Sequence, residues 1–249
     1  MDTADFAIEF SNVTKCYGPT FALRNLTLRV PPGEVWALTG NNGCGKSTIV
    51  RLAAGLIQPT EGEVCVLGRH PDGRGMEMDP SVAYIPQGAS FSKALTVRDI
   101  VRFAAHRKNL AIASEEEVLA MMGIAAAADW LVGLLPQHVV KRLALAVAFM
   151  SDPTLMLLDE PTMSLDREGR DILRRYLEES KGKRTVLLST PFLGPLEPAV
   201  DVVVDLDNGE VTRLRRLYHQ PAMAPPFHCL DAACEDESEQ LAIIPVMIS

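Results

Sequence analysis

An α/β fold, with a parallel sheet covered on both faces by helices, is the class this sequence predicts. Three observations predict it. Strand-length apolar runs are continuous rather than alternating, as strands buried on both faces must be. Segments with helical spacing of apolar residues stand between several of those runs. A chain of 249 residues with 47% hydrophobic content is long and apolar enough for one large α/β domain or two intimate lobes.

In chain order, FAIEF (6–10), NLTLRV (25–30) and VWALTG (35–40) are strands, the last two separated by the turn PPG. A helix follows from Lys46 to about Leu56, and EVCVLG (63–68) and VAYIPQ (82–87) return to strand character. Residues 96–149 are alanine-rich with helical periodicity, so the middle of the chain is expected to be all-helical. Beyond it TLMLLDEP (154–161), RTVLLST (184–190) and DVVVDL (201–206) are apolar runs of strand length, with a helix from Arg167 to about Ser180 between the first two. No internal repeat is visible. The last segment, 218–249, changes character: HQPAMAPPF is proline-rich, DAACEDESEQ acidic and LAIIPVMIS apolar. A flexible tail or a small docking element is expected there.

Charge narrows the function classes. A net charge of −8 argues against unspecific binding to nucleic acid or to an anionic membrane surface, since both need a positive field. No run approaches the roughly 18 consecutive apolar residues of a membrane span, and MDTADFAIEF is acidic where a signal peptide is basic. A cytoplasmic location is expected. The five cysteines (Cys16, Cys44, Cys65, Cys229, Cys234) are odd in number and scattered, which fits reduced thiols. His228, Cys229 and Cys234 offer metal-ligand chemistry, but no second close pair completes a site.

The strongest chemistry lies in GNNGCGKST (40–48), which fits G-x-x-x-x-G-K-[ST] after a strand and at the opening of a helix. Glycines there let backbone N–H groups close around phosphate oxygens, and the helix N-terminus adds its positive end. The cradle would run through Asn41, Asn42, Gly43, Cys44, Gly45, Lys46, Ser47 and Thr48. Lys46 reaches the β- and γ-phosphates as a point charge, and the Ser47 hydroxyl ligates Mg²⁺. A second element supports the first. LMLLDEP delivers Asp159 and Glu160 at the end of a buried strand, where one carboxylate can hold the metal through water and the other orient or deprotonate the attacking water.

With these motifs in this order, the chain resembles the nucleotide-binding subunit of ATP-binding cassette (ABC) transporters over residues 5 to about 217. The resemblance implies a P-loop NTPase fold with a mixed core sheet, an antiparallel β subdomain and a helical subdomain at about 88–150, in an ATP-binding domain spanning 1–217. It implies ATP and Mg²⁺ as ligands. Tyr17 in VTKCYG matches the aromatic residue that stacks on adenine; a buried strand tyrosine is the plainer alternative. Gln87 in YIPQ matches the glutamine that senses Mg²⁺ and the attacking water, against a solvated loop glutamine. Lys46, Gln87 and Glu160 become the candidate catalytic residues, and Ser47, Gln87 and Asp159 the candidate metal ligands. SLD (164–166) matches the loop that crosses the dimer interface, although Asp166 also reads as a helix N-cap. Implied partners are a separate integral membrane permease, docked near Gln87 and the 88–140 block, and a second ABC subunit, identical or different. Such a chain sits peripherally on the cytoplasmic face of a membrane, with no nucleic acid partner.

Two departures from the family pattern stand out. The signature loop, Leu-Ser-Gly-Gly-Gln in the family, reads here LPQHV (135–139). Pro136 has neither hydroxyl nor N–H, and His138 adds bulk where bare backbone approaches the partner's γ-phosphate. Each hydrogen bond lost to a charged group costs on the order of 1.5–3 kcal/mol, unless Gln137 or protonated His138 supplies a replacement donor. After LLST the family carries a histidine that touches the γ-phosphate; the aligned residue is Pro191. Removing one such donor lowers turnover roughly 10²- to 10³-fold, with Ser189 and Thr190 the neighbouring hydroxyls placed to substitute. The resemblance therefore implies an ATPase that binds well, turns over slowly and drives a permease. The alternative is a regulatory or scaffolding subunit with negligible hydrolysis. A soluble ABC ATPase acting on nucleic acid is disfavoured by the acidic charge.

Overall fold

The computed structural model describes residues 6–73, 81–107 and 115–217; the segment from 218 onward, with His228, Cys229 and Cys234, lies outside the described residues. In chain order the elements are β1 (Ile8–Tyr17), β2 (Thr20–Val30), β3 (Val35–Thr39), α1 (Lys46–Ala53), β4 (Glu61–Val66), β5 (Val82–Ile85), α2 (Val97–Arg107), α3 (Glu115–Met121) and α4 (Gln137–Phe149). They continue with β6 (Leu155–Asp159), α5 (Arg167–Ser180), β7 (Thr185–Ser189), β8 (Val202–Asp207) and β9 (Glu210–Arg216).

Six strands form a sheet in the order β5-β6-β7-β3-β8-β9, parallel except for β9. Its central strands explain the continuous apolar runs. Along β6, Met156 and Leu158 enter one hydrophobic cluster while Leu155 and Leu157 enter the other, and Val186 and Leu188 face away from Leu187 in the same way on β7. One cluster lies under α2, α3, α4 and α5; the other joins the opposite face to α1 and a smaller sheet. Burying each such side chain contributes about 1.5–3 kcal/mol.

The smaller sheet corrects the residue-level expectation of one parallel sheet and agrees with the mixed architecture implied by the family resemblance. It is antiparallel, in the order β2-β1-β4. Its strands alternate because only one face is covered: Leu26, Leu28 and Val30 of β2 are buried while Asn25, Thr27 and Arg29 are exposed. Both β1 and β2 outrun their predicted lengths. β1 continues through polar Ser11 and Asn12 because a register shift there, with Asn12 at φ 50°, lets the strand resume pairing from Val13 to Tyr17.

β9 is absent from the sequence-based expectation. It folds back on β8 through Asn208 and Gly209, both at positive φ (47° and 84°), the conformation that hairpin turns require. A Cβ on Gly209 would stand 2.7 Å from the Ala22 carbonyl oxygen, so the turn is pressed against β2. In the central block, α2, α3 and α4 are joined partly by short 3-10 turns at Ala125–Ala127 and Val132–Leu134. Cys16, Cys44 and Cys65 are free thiols.

Candidate functional site

The phosphate-loop motif joins β3 to α1, and its backbone is fixed by close packing. Gly45 has φ 109°, and a Cβ there would lie 2.7 Å from the Ala22 oxygen and 2.8 Å from Leu23 Cδ2. Only glycine lets the loop lie this close to β2. The Gly209 N–H donates to the Cys44 carbonyl at 3.1 Å, tying the loop to the β8–β9 hairpin as well. Lys46 is buried, and its Nζ donates to the Gly40 and Asn41 carbonyls at 2.7 and 2.8 Å, spanning the loop from within.

At the end of β6, Asp159 is completely buried. Its Oδ1 accepts from Ser47 Oγ at 2.8 Å and from Ser189 Oγ at 2.6 Å. Among the described residues its Oδ2 has no hydrogen-bond partner, and Arg51 Nη2 stands 3.9 Å from it. A buried carboxylate oxygen left unbonded beside a serine hydroxyl is a donor set that suits a hard divalent cation. Glu160 follows in the left-handed region, at φ 45°, which for a non-glycine residue costs on the order of 1–3 kcal/mol. Its N–H donates to Ser189 Oγ at 2.9 Å, and its Oε2 accepts from Gln87 Nε2 at 3.1 Å. Ser47, Asp159, Ser189, Glu160 and Gln87 thus form one hydrogen-bonded chain linking α1, β6, β7 and the loop after β5. Such a chain can hold a metal beside a phosphate and present a carboxylate to a water.

Tyr17 lies at the end of the β1–β2 hairpin, paired with Thr20, and is 47% exposed, so it is not the buried strand tyrosine of the plainer alternative. Lys15 Nζ stands 5.3 Å from its ring centroid. The strand pair that carries it meets the phosphate loop at Ala22 and Leu23.

The loop at the signature position ends in α4. Pro136 occupies the cap position, one residue ahead of the first helical residue Gln137, with φ −59° and ψ 151°; no side chain caps the helix. Pro136 and Gln137 are exposed and His138 half-buried. Asp166 is the N-cap of α5, accepting from Gly169 N at 3.1 Å, as its plainer alternative proposed. It also receives Arg142 of α4, whose Nη2 donates to its Oδ1 and Oδ2 at 2.7 and 2.6 Å. Hydrogen bonds from that guanidinium hold the Asp166 carboxyl below the usual carboxylate range.

Beyond β7, Pro191 is exposed. Neither neighbouring hydroxyl is spare: Ser189 is committed to Asp159 and the Glu160 backbone, and Thr190 Oγ1 donates to the Phe192 carbonyl at 2.7 Å. The sequence reading assigned no role to Lys141, which is buried in α4. Its Nζ donates to the Pro86 and Gln87 carbonyls at 3.1 and 3.3 Å. Burial pushes its ammonium down to about 8, against the nearby Asp159 and Glu160 charges. The signal in the sequence is the pair Lys141-Arg142 inside an otherwise apolar helix.

Comparison with known proteins gives consistent results. The family model described as ABC transporter matches residues 23–163. The Nod factor export ATP-binding protein I of Sinorhizobium fredii (strain NBRC 101917 / NGR234) is 33% identical over 216 residues, covering 83% of this chain and 62% of that protein. The bacitracin transport ATP-binding protein of Bacillus licheniformis is 30% identical over 211 residues, covering 82% of this chain and 68% of that protein. Among solved structures, an ATP-binding subunit of an ABC transporter superposes with a TM-score of 0.76 at 27% identity, covering 85% of this chain and 90% of that one. A dimeric ATP-binding cassette in a post-hydrolysis state with ADP and Pi superposes at 0.73 and 25% identity, covering 86% of this chain and 100% of that one.

Proposed function

The chain belongs to the ABC transporter family, and from that premise we propose that it is an ATP-binding subunit coupling ATP binding and slow ATP hydrolysis to a separate membrane permease. The observation that carries this reading is the hydrogen-bonded chain from Ser47 through Asp159 and Ser189 to Glu160 and Gln87. Tyr17 is the adenine platform. The backbone of 40–48 and the Lys46 ammonium bind the phosphates. Ser47 and Asp159, with Gln87, hold Mg²⁺, which neutralises charge on the phosphates when bound. Glu160, held by Gln87, orients the attacking water and takes up its proton as the bond to the leaving ADP breaks.

Slow turnover follows from two departures from the family pattern. Pro191 supplies no imidazole, and Pro136 with His138 offers a partner neither hydroxyl nor bare backbone. Ser189 and Thr190 are already engaged and do not compensate. In a homodimer both composite sites carry both departures; in a heterodimer one site lacks the histidine and the other lacks the signature. The triple change Pro191→His, Pro136→Ser and His138→Gly should raise ATP turnover of the purified chain by at least ~10-fold. An unchanged rate would overturn the explanation of slow turnover.

In this proposal the permease docks against the helical part. Leu95, Phe103, Trp130 and Leu134 are exposed large apolar side chains in that part of the chain. Such surface is expected of a docking face. No helix of the described residues is long and apolar enough to cross a membrane; membrane association is assigned, as part of the same proposal, to that partner. The ATP-binding domain is taken as 1–217, with 218–249 as a tail or docking element. A purely scaffolding role predicts that cellular function needs Lys46 but tolerates Glu160→Gln; loss of function with Glu160→Gln supports coupling to hydrolysis.

A further inference from the structure

Helix α4 is apolar along most of its length, yet it buries a lysine. Lys141 is 3% exposed, with Val140, Leu143 and Ala144 buried around it in sequence. Taking an ammonium out of water is costly, and an apolar residue of similar size would stabilise such a position better. The cost is met by two carbonyls, Pro86 O at 3.1 Å and Gln87 O at 3.3 Å, and by the charges of the nearby Asp159 and Glu160 carboxylates.

Those carbonyls belong to a point where the backbone leaves the sheet. β5 is an edge strand, hydrogen-bonded to β6 alone, and its register with β6 ends at Ile85. Pro86 then has no N–H to continue the ladder. The chain therefore quits the sheet one residue before Gln87, whose side-chain amide meets Glu160 at 3.1 Å. Lys141 lies four residues, about one helical turn, from Gln137, the first residue of α4.

We propose that Lys141 is the positioning residue for Gln87: by clamping the Pro86 and Gln87 carbonyls to α4, it sets where the Gln87 amide meets Glu160. It thereby joins the loop at the signature position to the candidate base by one helical turn. This rests on the reading of the chain as an ATPase, and adds to it a residue that acts through the backbone of Gln87. α4 carries two such ties, since Arg142, next in sequence, reaches the other way to Asp166 and Glu168. A shift of the signature loop would be transmitted to both.

The test uses the full chain and two variants, Lys141→Met, which keeps the apolar stem, and Lys141→Gln, as a second replacement should methionine repack the helix. In the nucleotide-free chain, amide hydrogen exchange over 86–90 should speed up about tenfold in both variants, while the centres of α4 and β6 keep their protection. With ATP and Mg²⁺, kcat should fall roughly tenfold with KM for ATP within about twofold, as expected of an interaction lost after binding. The melting temperature should stay level or rise. Exchange and kcat both unchanged would overturn the proposal, as would a lowered melting temperature with exchange accelerated throughout α4 and β6, the mark of a packing role. If the unmodified chain fails to hydrolyse ATP, the function reading falls, and the exchange measurement still decides the clamp by itself.

Discussion

Ser189 is the smallest group in the site with two obligations. Its hydroxyl donates to Asp159 and accepts the Glu160 N–H. Replacing it with alanine leaves the Glu160 N–H without that acceptor and removes one donor from a fully buried carboxylate. Ser189→Ala should therefore destabilise the fold by about 1–3 kcal/mol in denaturant unfolding and lower ATP turnover further. A variant as stable and active as the parent would remove Ser189 from the network. Residues of this kind divide by how far their partners lie in sequence. The phosphate loop, Asp159 and Glu160 are legible because their chemistry is local: glycine spacing next to a strand, paired carboxylates at a strand end. Gln87 and Tyr17 were reached only through the family resemblance. The role of Ser189 is not legible, because it depends on a carboxylate and a backbone N–H brought in from another strand; Lys141 is marked by its place in an otherwise apolar helix, but its partners, the Pro86 and Gln87 carbonyls, lie far away in sequence.

Between elements, a buried guanidinium ties α4 to the start of α5. Arg142 is buried and bonds both oxygens of the Asp166 cap. Because the guanidinium lowers the Asp166 pKa on folding, the tie contributes stability that is present above the ordinary carboxylate range and is lost as pH falls through the lowered value. Asp166→Asn should flatten that acid limb when melting temperature is followed downward from about pH 6, and should lower stability at neutral pH. An acid limb identical in parent and variant would deny the tie any share in acid stability. Element boundaries were legible where burial is two-sided and blurred where it is one-sided. β6 and β7 match their apolar runs closely. β9 was missed because Glu210-Val-Thr-Arg-Leu-Arg-Arg216 is a charged edge strand with little buried surface, although the Asn208-Gly209 pair ahead of it carries the hairpin signal. The far half of β1 was missed because its polar residues hide pairing that resumes after a bulge.

For the whole molecule, the two departures bear on assembly as well as on chemistry. A loop that offers a partner no hydroxyl and a proline in place of an N–H should make ATP-driven closure of a dimer weak. With Glu160→Gln to retain ATP, native mass measurement should find mostly monomer. Adding Pro136→Ser and His138→Gly should shift the population toward dimer by about tenfold in dissociation constant for each hydrogen bond regained. Equal monomer fractions in the two backgrounds would show that the signature position does not limit pairing. The α/β class and the order of most elements followed from apolar periodicity, but the division into two sheets did not. That division depends on which faces meet, and only the alternation in β2 hints at it.

Lys46 gives the binding event a particular character. Its ammonium already holds the Gly40 and Asn41 carbonyls, inside a loop braced by β2 and the β8–β9 hairpin. On the proposed reading, an arriving phosphate would not fold its own receptor; it would take a cation away from two peptide oxygens that the chain can return to it. Capture and release would then be a local trade of partners within a standing frame.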